Sequence, residues 1–416
     1  MRRTNVMKRL FLSVLFLLGC VSGSAQAPDF SLVGFAAEKT TGFTNGTTGG
    51  GNAVPVTVTT YEELKAQFLI AGKVNKNPKV IYVQGKIEVP GGGDPIEVSS
   101  NTTLYGLGAD AFISQINLYL KNASNVIIRN IKFSAVGSTK GSESDCISIA
   151  TTSSGVCSHI WIDHCEFFNI TPIRNPSASL KDLYDGLLDI KKTSEYITVS
   201  WCHFHDHYKA ILVGYTDTDV YDRKITMHHN IFERVNSRAP SYRGGTGHIY
   251  NNYYIATQDE TGYFGDGINT REEATLLAEN NYFLNMNNGI YCALGDVIKE
   301  GFASGSGNIF NGGKASFTAN PGTPFVAPYS VKQDTANVLP ALLPTWAGIG
   351  KITGENDYGT VDTSSGINSP KAIKTLASTN YYSLSGMKIA IPNKKGIYLK
   401  ESTYLDGSKE TTKLAY

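Results

Sequence analysis

Between about residue 80 and residue 285 the chain keeps restarting one short phrase. A β-branched run leads into a polar pair and ends on an aromatic. The clearest copies are Ile160-Trp-Ile-Asp-His-Cys-Glu-Phe167, Ile197-Thr-Val-Ser-Trp-Cys-His-Phe204 and Ile225-Thr-Met-His-His-Asn-Ile-Phe232. His248-Ile-Tyr-Asn-Asn-Tyr-Tyr254 and Leu276-Leu-Ala-Glu-Asn-Asn-Tyr-Phe283 repeat it, and Val126-Ile-Ile-Arg-Asn-Ile-Lys-Phe133 is an earlier relative. Two positions before each closing aromatic, the column reads Cys165, Cys202, Asn230, Asn252 and Asn281, in steps of 37, 28, 22 and 29 residues. A period near 22 with variable insertions predicts a solenoid of coils whose extra residues emerge as loops. Asn at one bend of successive coils can exchange amide hydrogen bonds up the stack, a row that is stable only if every member is satisfied. A β-sandwich is the alternative, but the coil-sized spacing and the lack of tight Asn-Gly hairpins favour the solenoid.

Flanking segments complete the expected architecture. Residues 61–72 place apolar residues at helical spacing, with a Thr pair before them and Gly72 after. They predict an N-terminal capping helix over apolar core and strand edges that a solenoid would otherwise leave open. Residues from about 286 to 351 hold few periodic strands and are expected to wrap over the flank and close the upper end. Residues 352–375 are polar and turn-rich, a linker composition. Residues 376–416 are β-patterned. The fold class expected is therefore all-β, a right-handed single-stranded parallel β-helix over 28–351 with a small C-terminal β module.

Residues 1–27 add a basic start, the apolar run Leu10–Leu18 and the small residues Ser22-Gly-Ser-Ala25. This is the pattern of a secretory signal peptide, too short to span a membrane. Leu17-Leu-Gly-Cys20 also resembles a lipoprotein cleavage box, although the Leu before Gly19 fits it poorly. A secreted or cell-surface protein with no transmembrane segment is expected, and a monomer. The formal charge is +1, but Arg2, Arg3, Lys8 and Arg9 sit in the leader. Without them 33 basic residues face 36 acidic ones, so no basic footprint for nucleic acid exists. Five cysteines remain beyond Cys20, an odd number without CxxC spacing, which fits buried small hydrophobes better than disulfides or zinc.

Four clusters carry candidate chemistry: Glu143-Ser-Asp145, Asp185-Gly-Leu-Leu-Asp189, Lys209 and Arg238-Ala-Pro-Ser-Tyr-Arg243. Coils stack about 4.8 Å apart, so clusters separated by one coil can line a single face. These motifs, with Gly34-Phe-Ala, Thr47-Thr-Gly-Gly-Gly51, Val56-Thr-Val-Thr-Thr60, Trp161-Ile-Asp-His164, Asp206-His-Tyr-Lys209 and Pro328-Tyr-Ser, occur in an order that resembles the pectate lyase family over about residues 30–351. The resemblance implies calcium-assisted β-elimination of polygalacturonate. It implies Asp145, Asp185 and Asp189 as calcium ligands, with Glu143 where some members carry a further acid. It implies Lys209 and Arg243 as holders of substrate carboxylates and Arg238 as catalytic base.

The residue types suit that chemistry. Calcium takes several oxygen ligands at about 2.3–2.6 Å, and cations beside a uronate carboxylate acidify its C5 proton. Arg238 is an awkward base, because guanidinium is hardly ever neutral in proteins; the alternative is that it stabilises the carbanion while water takes the proton. Rival readings are a pectin lyase, which dispenses with this acid set, a galacturonan hydrolase, which needs paired carboxylates acting with water, and a noncatalytic pectin-binding helix. Asp163 and His164 are expected to have a structural hydrogen-bonding role near the groove. His203, His205 and His207 alternate on one strand but lack a further ligand at suitable spacing for a metal. The tail resembles the C-terminal sorting domain of type IX secretion through Tyr381-Tyr-Ser-Leu-Ser-Gly-Met-Lys388, Gly396-Ile-Tyr-Leu-Lys400 and Asp406–Lys413.

Overall fold

The computed structural model describes residues 27–134, 144–152, 155–169, 177–256, 264–359, 376–383, 387–389, 397–404 and 409–415. Glu143, the leader and Cys20 lie outside them. Each repeat of the sequence phrase supplies two strands that pair in parallel with the same strands one coil away. Ile160 aligns with Ile197 and Ile197 with Ile225; Phe167 aligns with Phe204 and Phe204 with Phe232. A third ladder of eight short strands runs from Ile96–Glu97 through Leu118–Lys121, Ile147–Ala150, Leu188–Ile190, Ile211–Val213, Ser241–Arg243 and Asp266–Arg271 to Asn288–Tyr291. Three parallel ladders wound by one chain make a parallel β-helix, as the periodicity predicts.

The interior follows from alternation along each strand. Ile160 and Ile162, Ile197 and Val199, and Ile225 and Met227 are buried in a single continuous core. The closing aromatics form a column, Phe133, Phe167, Phe204, Phe232, Tyr254, Phe283 and Phe310, with successive ring centroids 4.5–5.1 Å apart. Two residues earlier runs the Asn row. The Asn230 side-chain amide donates to Asn252 Oδ1 at 2.9 Å, Asn252 to Asn281 at 3.0 Å, and Asn281 to Asn308 at 3.0 Å. Each also donates to a backbone carbonyl, of Val199, Met227 and Ile249. Cys165 and Cys202 fill the same slot lower down, their thiols directed at the carbonyls of Asp163 and Ser200. Cys146, Cys157, Cys165 and Cys202 are buried and free, and Cys292 is half-buried and free.

The bend just before this row is left-handed at every coil: Asn130, His164, Trp201, His229, Asn251 and Asn280 have φ between 50° and 57°. Strict alternation along the strand would put Asp163 and His164 on opposite faces, and that bend breaks it. Imidazole and carboxylate meet on one side, His164 Nδ1 lying 2.6 Å from Asp163 Oδ2. Asp163 also pairs with Arg129 at 2.8 Å and accepts from Ser200 Oγ at 2.6 Å. None of these partners lines the groove described below. The network is structural, but it lies beneath residues 352–359 rather than near the groove.

The ends differ from expectation in detail. The capping helix spans only Tyr61–Ala66, started by a Thr60/Glu63 capping box, and a small hairpin of Leu69–Ile70 and Lys73–Val74 follows it. Its Leu64 and the following Phe68 are buried in the main core. At the other end Asn288–Tyr291, Phe302–Ser304 and Ile309–Asn311 continue the stack. The helix Leu339–Trp346 then lies along the flank, where Leu339 and Leu343 pack with Ile231, Tyr253 and Trp201. Residues 352–359, whose composition reads as linker, are packed: Ile352 is buried and Arg129 donates to the carbonyls of Glu355 and Asp357. Phe30 N–H donates to Tyr358 O at 2.8 Å. The C-terminal strands Leu376–Tyr382, Lys388–Ile389, Ile397–Tyr404 and Lys409–Ala415 form a separate four-stranded antiparallel sheet. Among the described residues no helix is long and apolar enough to cross a membrane.

Candidate active site

The outward face of the third ladder is a column in register: Tyr119, Ser148, Asp189, Leu212, Ser241, Asn269 and Tyr291. Leu212, Ser241, Asn269 and Tyr291 form the floor of a groove of about 640 Å³. Lys209, Arg238 and Arg243 line it together, with Arg271 and Asp217. Lys209 ends the strand His203–Lys209 and Arg243 ends Ser241–Arg243. Arg238 stands in the bend between strands at φ 62°, a left-handed conformation, and Ile211 N–H donates to its carbonyl at 2.6 Å. Lys209 is thus gathered on one face with Arg238 and Arg243, which come from the next coil.

The acids sit at the lower end of the same face. Asp145 and Asp189 are almost wholly buried, at 1% exposure each. Both abut Gly186: a Cβ there would fall 2.5 Å from Asp189 Oδ1 and 2.8 Å from Asp145 Oδ1. Asp145 accepts from Gly186 N–H at 2.8 Å and from Ser148 Oγ at 2.9 Å. Lys191 bridges the two, its Nζ 3.2 Å from Asp145 Oδ2 and 3.2 Å from Asp189 Oδ2. Burial, with the charge of Asp145 beside it, pushes the Asp189 carboxyl up to about 8 despite Lys191 and Arg238. Asp185 is one-third exposed, contacts Lys209 and lies 4.0 Å from Arg238 Nη1. Acids and bases therefore meet through Asp185.

Among the described residues no three His, Cys, Asp or Glu side chains converge tightly enough to hold a metal ion by themselves. Asp185 is drawn towards Lys209, and Glu143 lies outside the described residues. The site nevertheless fits a hard cation in two respects. Two buried carboxylates side by side repel one another, and the single charge of Lys191 is shared between them. Asp189 Oδ1 is also buried without a hydrogen-bond partner, a costly state for a buried acceptor.

Several groups here receive no role from the motifs, although Lys191 closes Asp185-Gly-Leu-Leu-Asp-Ile-Lys191 and His207 lies in Asp206-His-Tyr-Lys209. Lys191 is two residues beyond Asp189 on the same strand face, so period-two alternation would have found it. Arg271 is register partner to Arg243 in the next coil. Asp217 pairs with Arg243 at 3.1 Å and with Arg271 at 3.8 Å, a contact made by a loop that no periodicity marks. Arg243 is lowered by burial and by Arg271. His207 is fully buried, and burial lowers it to about 4; it donates to the Asp185 carbonyl at 2.6 Å. His203 and His205 face away and pair with Glu233 at 3.1 Å and Glu166 at 3.3 Å respectively.

Comparison with known proteins places the chain among its relatives. The family described as Pectate lyase matches residues 28–352. The chain is 36% identical over 363 residues to a pectate trisaccharide-lyase of Bacillus licheniformis, covering 82% of this chain and 97% of that protein. It is 38% identical over 305 residues to pectate lyase A of Emericella nidulans, covering 72% and 83%. A pectate lyase of Bacillus sp. N165 in complex with trigalacturonate superposes with a TM-score of 0.63 at 29% identity, covering 77% of this chain and 99% of that one. Pectate lyase II of Xanthomonas campestris gives 0.62 at 27%, covering 78% and 100%. With its fold, its groove and these relatives in agreement, the chain belongs to the pectate lyase family.

Proposed function

We propose that this chain is a calcium-dependent pectate lyase that cleaves (1→4)-α-D-galacturonan by β-elimination, releasing 4,5-unsaturated oligogalacturonates. The observation that carries the reading is the junction at Asp185, where two buried carboxylates with an unsatisfied oxygen meet a groove lined by Lys209, Arg238 and Arg243. Asp145, Asp185 and Asp189 would hold the ion, with Glu143 adjacent in sequence, and substrate oxygens and water would complete the shell. Bound calcium supplies positive charge against the uronate carboxylate.

The protein's own groups do the rest. Lys209 and Arg243 bind carboxylates of the anionic chain, Arg243 being the better fork for two parallel hydrogen bonds. Their charge stabilises the electron pair that forms when the C5 proton leaves. Arg238, which lines the groove beside Lys209 and Arg243, is the group assigned to that proton. It either accepts it or stabilises the carbanion while water accepts it; the C5 pair then forms the C4–C5 double bond and O4 departs, taking a proton from water. Secretion through the 1–27 leader suits a polymeric substrate outside the cell, and the C-terminal sheet serves as a sorting module.

The test is incubation with polygalacturonate at alkaline pH, following the ultraviolet absorbance of the conjugated product. Absorbance that grows, stops with a chelator and returns with calcium supports the reading. New reducing ends without that absorbance would mean hydrolysis and end it.

A further inference from the structure

The peptide unit joining Asp185 to Gly186 is gripped at both ends. Its carbonyl accepts from His207 Nε2 at 2.6 Å, and its N–H donates to Asp145 Oδ1 at 2.8 Å. A carbonyl only accepts, so His207 carries its proton on Nε2. The next peptide is fixed too: Gly186 O accepts from Cys146 N–H, and Leu187 N–H donates to Ala210 O. Rotating the Asp185–Gly186 plane would break two buried hydrogen bonds at once. That plane decides where the Asp185 side chain leaves the backbone and whether Asp145 keeps a donor on Oδ1.

His207 is not among the side chains that line the groove. It is wholly buried and reaches the Asp185–Gly186 peptide through the Asp185 carbonyl. Hydrogen bonds in series polarise one another, so donation to the carbonyl strengthens the N–H that Asp145 accepts. Groups that orient metal ligands from behind typically change affinity by about 10–100-fold when removed.

We propose that His207 is a positioning residue that sets divalent-ion affinity by clamping the Asp185–Gly186 peptide between itself and Asp145. This rests on the reading of Asp145, Asp185 and Asp189 as the ion site.

Calcium titration by calorimetry separates the possibilities, using the full chain and the variants His207→Leu, His207→Gln and His207→Asn. Gln places an amide N–H near the position of Nε2; Asn is too short to reach the carbonyl. Leu and Asn are expected to weaken calcium binding by about 10–100-fold, and Gln to recover most of it. Lyase activity lost at low calcium should return as calcium rises past the new constant. If Leu does not fold, the Gln and Asn pair carries the comparison. Wild-type affinity in Leu or Asn would overturn the proposal, as would equal loss in Gln and Asn, which would mean a packing role. Failure of the unmodified chain to bind calcium, with Asp189→Asn as control, would instead overturn the ion site itself.

Discussion

Gly186→Ala is the sharpest probe of the proposed ion site. Gly186 is not in the left-handed region, so the backbone accepts Ala, and elsewhere such a change would stabilise by about 0.4–1 kcal/mol through the unfolded chain. Here the added methyl would sit 2.5 Å from Asp189 Oδ1 and 2.8 Å from Asp145 Oδ1, against 3.4 Å for ordinary contact. The carboxylates must therefore give by about 0.9 and 0.6 Å. Neither is loose: Asp189 is tied to Lys191, and Asp145 to Lys191, Ser148 and Gly186 N–H. A misplacement near 1 Å costs about 10²-fold in a positioned site, equivalent to about 2.7 kcal/mol. Lyase rate at fixed low calcium should fall by about that factor while the thermal midpoint moves little. Steady-state assays across a calcium series, with calorimetric melting of the same sample, check both halves. Wild-type calcium dependence in this variant would refute the placement of the ion between Asp145 and Asp189.

Three further outcomes follow from the same geometry. The raised carboxyl of Asp189 means the folded state holds a proton the unfolded chain releases at ordinary carboxylate pH. In chelator, its contribution should therefore make stability fall as pH rises from that range to about 8; calcium, competing with the proton, should bind more tightly across the same window, as melting with and without calcium would reveal. Asn252→Leu removes the acceptor for Asn230 N–H and Nδ2 and the donor to Met227 O; with each orphaned buried group costing about 1–3 kcal/mol, a loss of roughly 3–9 kcal/mol is expected in urea unfolding, and under 1 kcal/mol would contradict the row. Arg238→Lys should cut turnover by about 10²–10⁴-fold, the usual share of a positioned proton-transfer group, while polygalacturonate still binds; unchanged turnover would remove Arg238 from the chemistry.

The coil stack was readable because its causes are local and repeated. The β-branched runs, the Asn and Cys slot and the closing aromatics each recur in one register, so the sequence pattern and the ladder are the same fact. The basic triad and the acids were readable as motifs, because Asp189, Lys209 and Arg243 stand at strand positions facing outward. Lys191 was within reach of period-two alternation from Asp189, whereas the place of Arg271 beside Arg243 depends on which coil lies next to which and becomes visible only once the register is known. Asp217 and His207 act through a loop and a backbone carbonyl, for which side-chain type carries no mark. The single-residue left-handed bends explain why strict alternation misplaced His164 relative to Asp163.

The seam between residues 29–30 and 358–359, with Arg129 holding the carbonyls of Glu355 and Asp357, turns the catalytic body into a closed circuit. A load applied through the chain beyond residue 359 reaches this seam before any coil. The seam thus stands between the coils and any force that arrives from the C-terminal side.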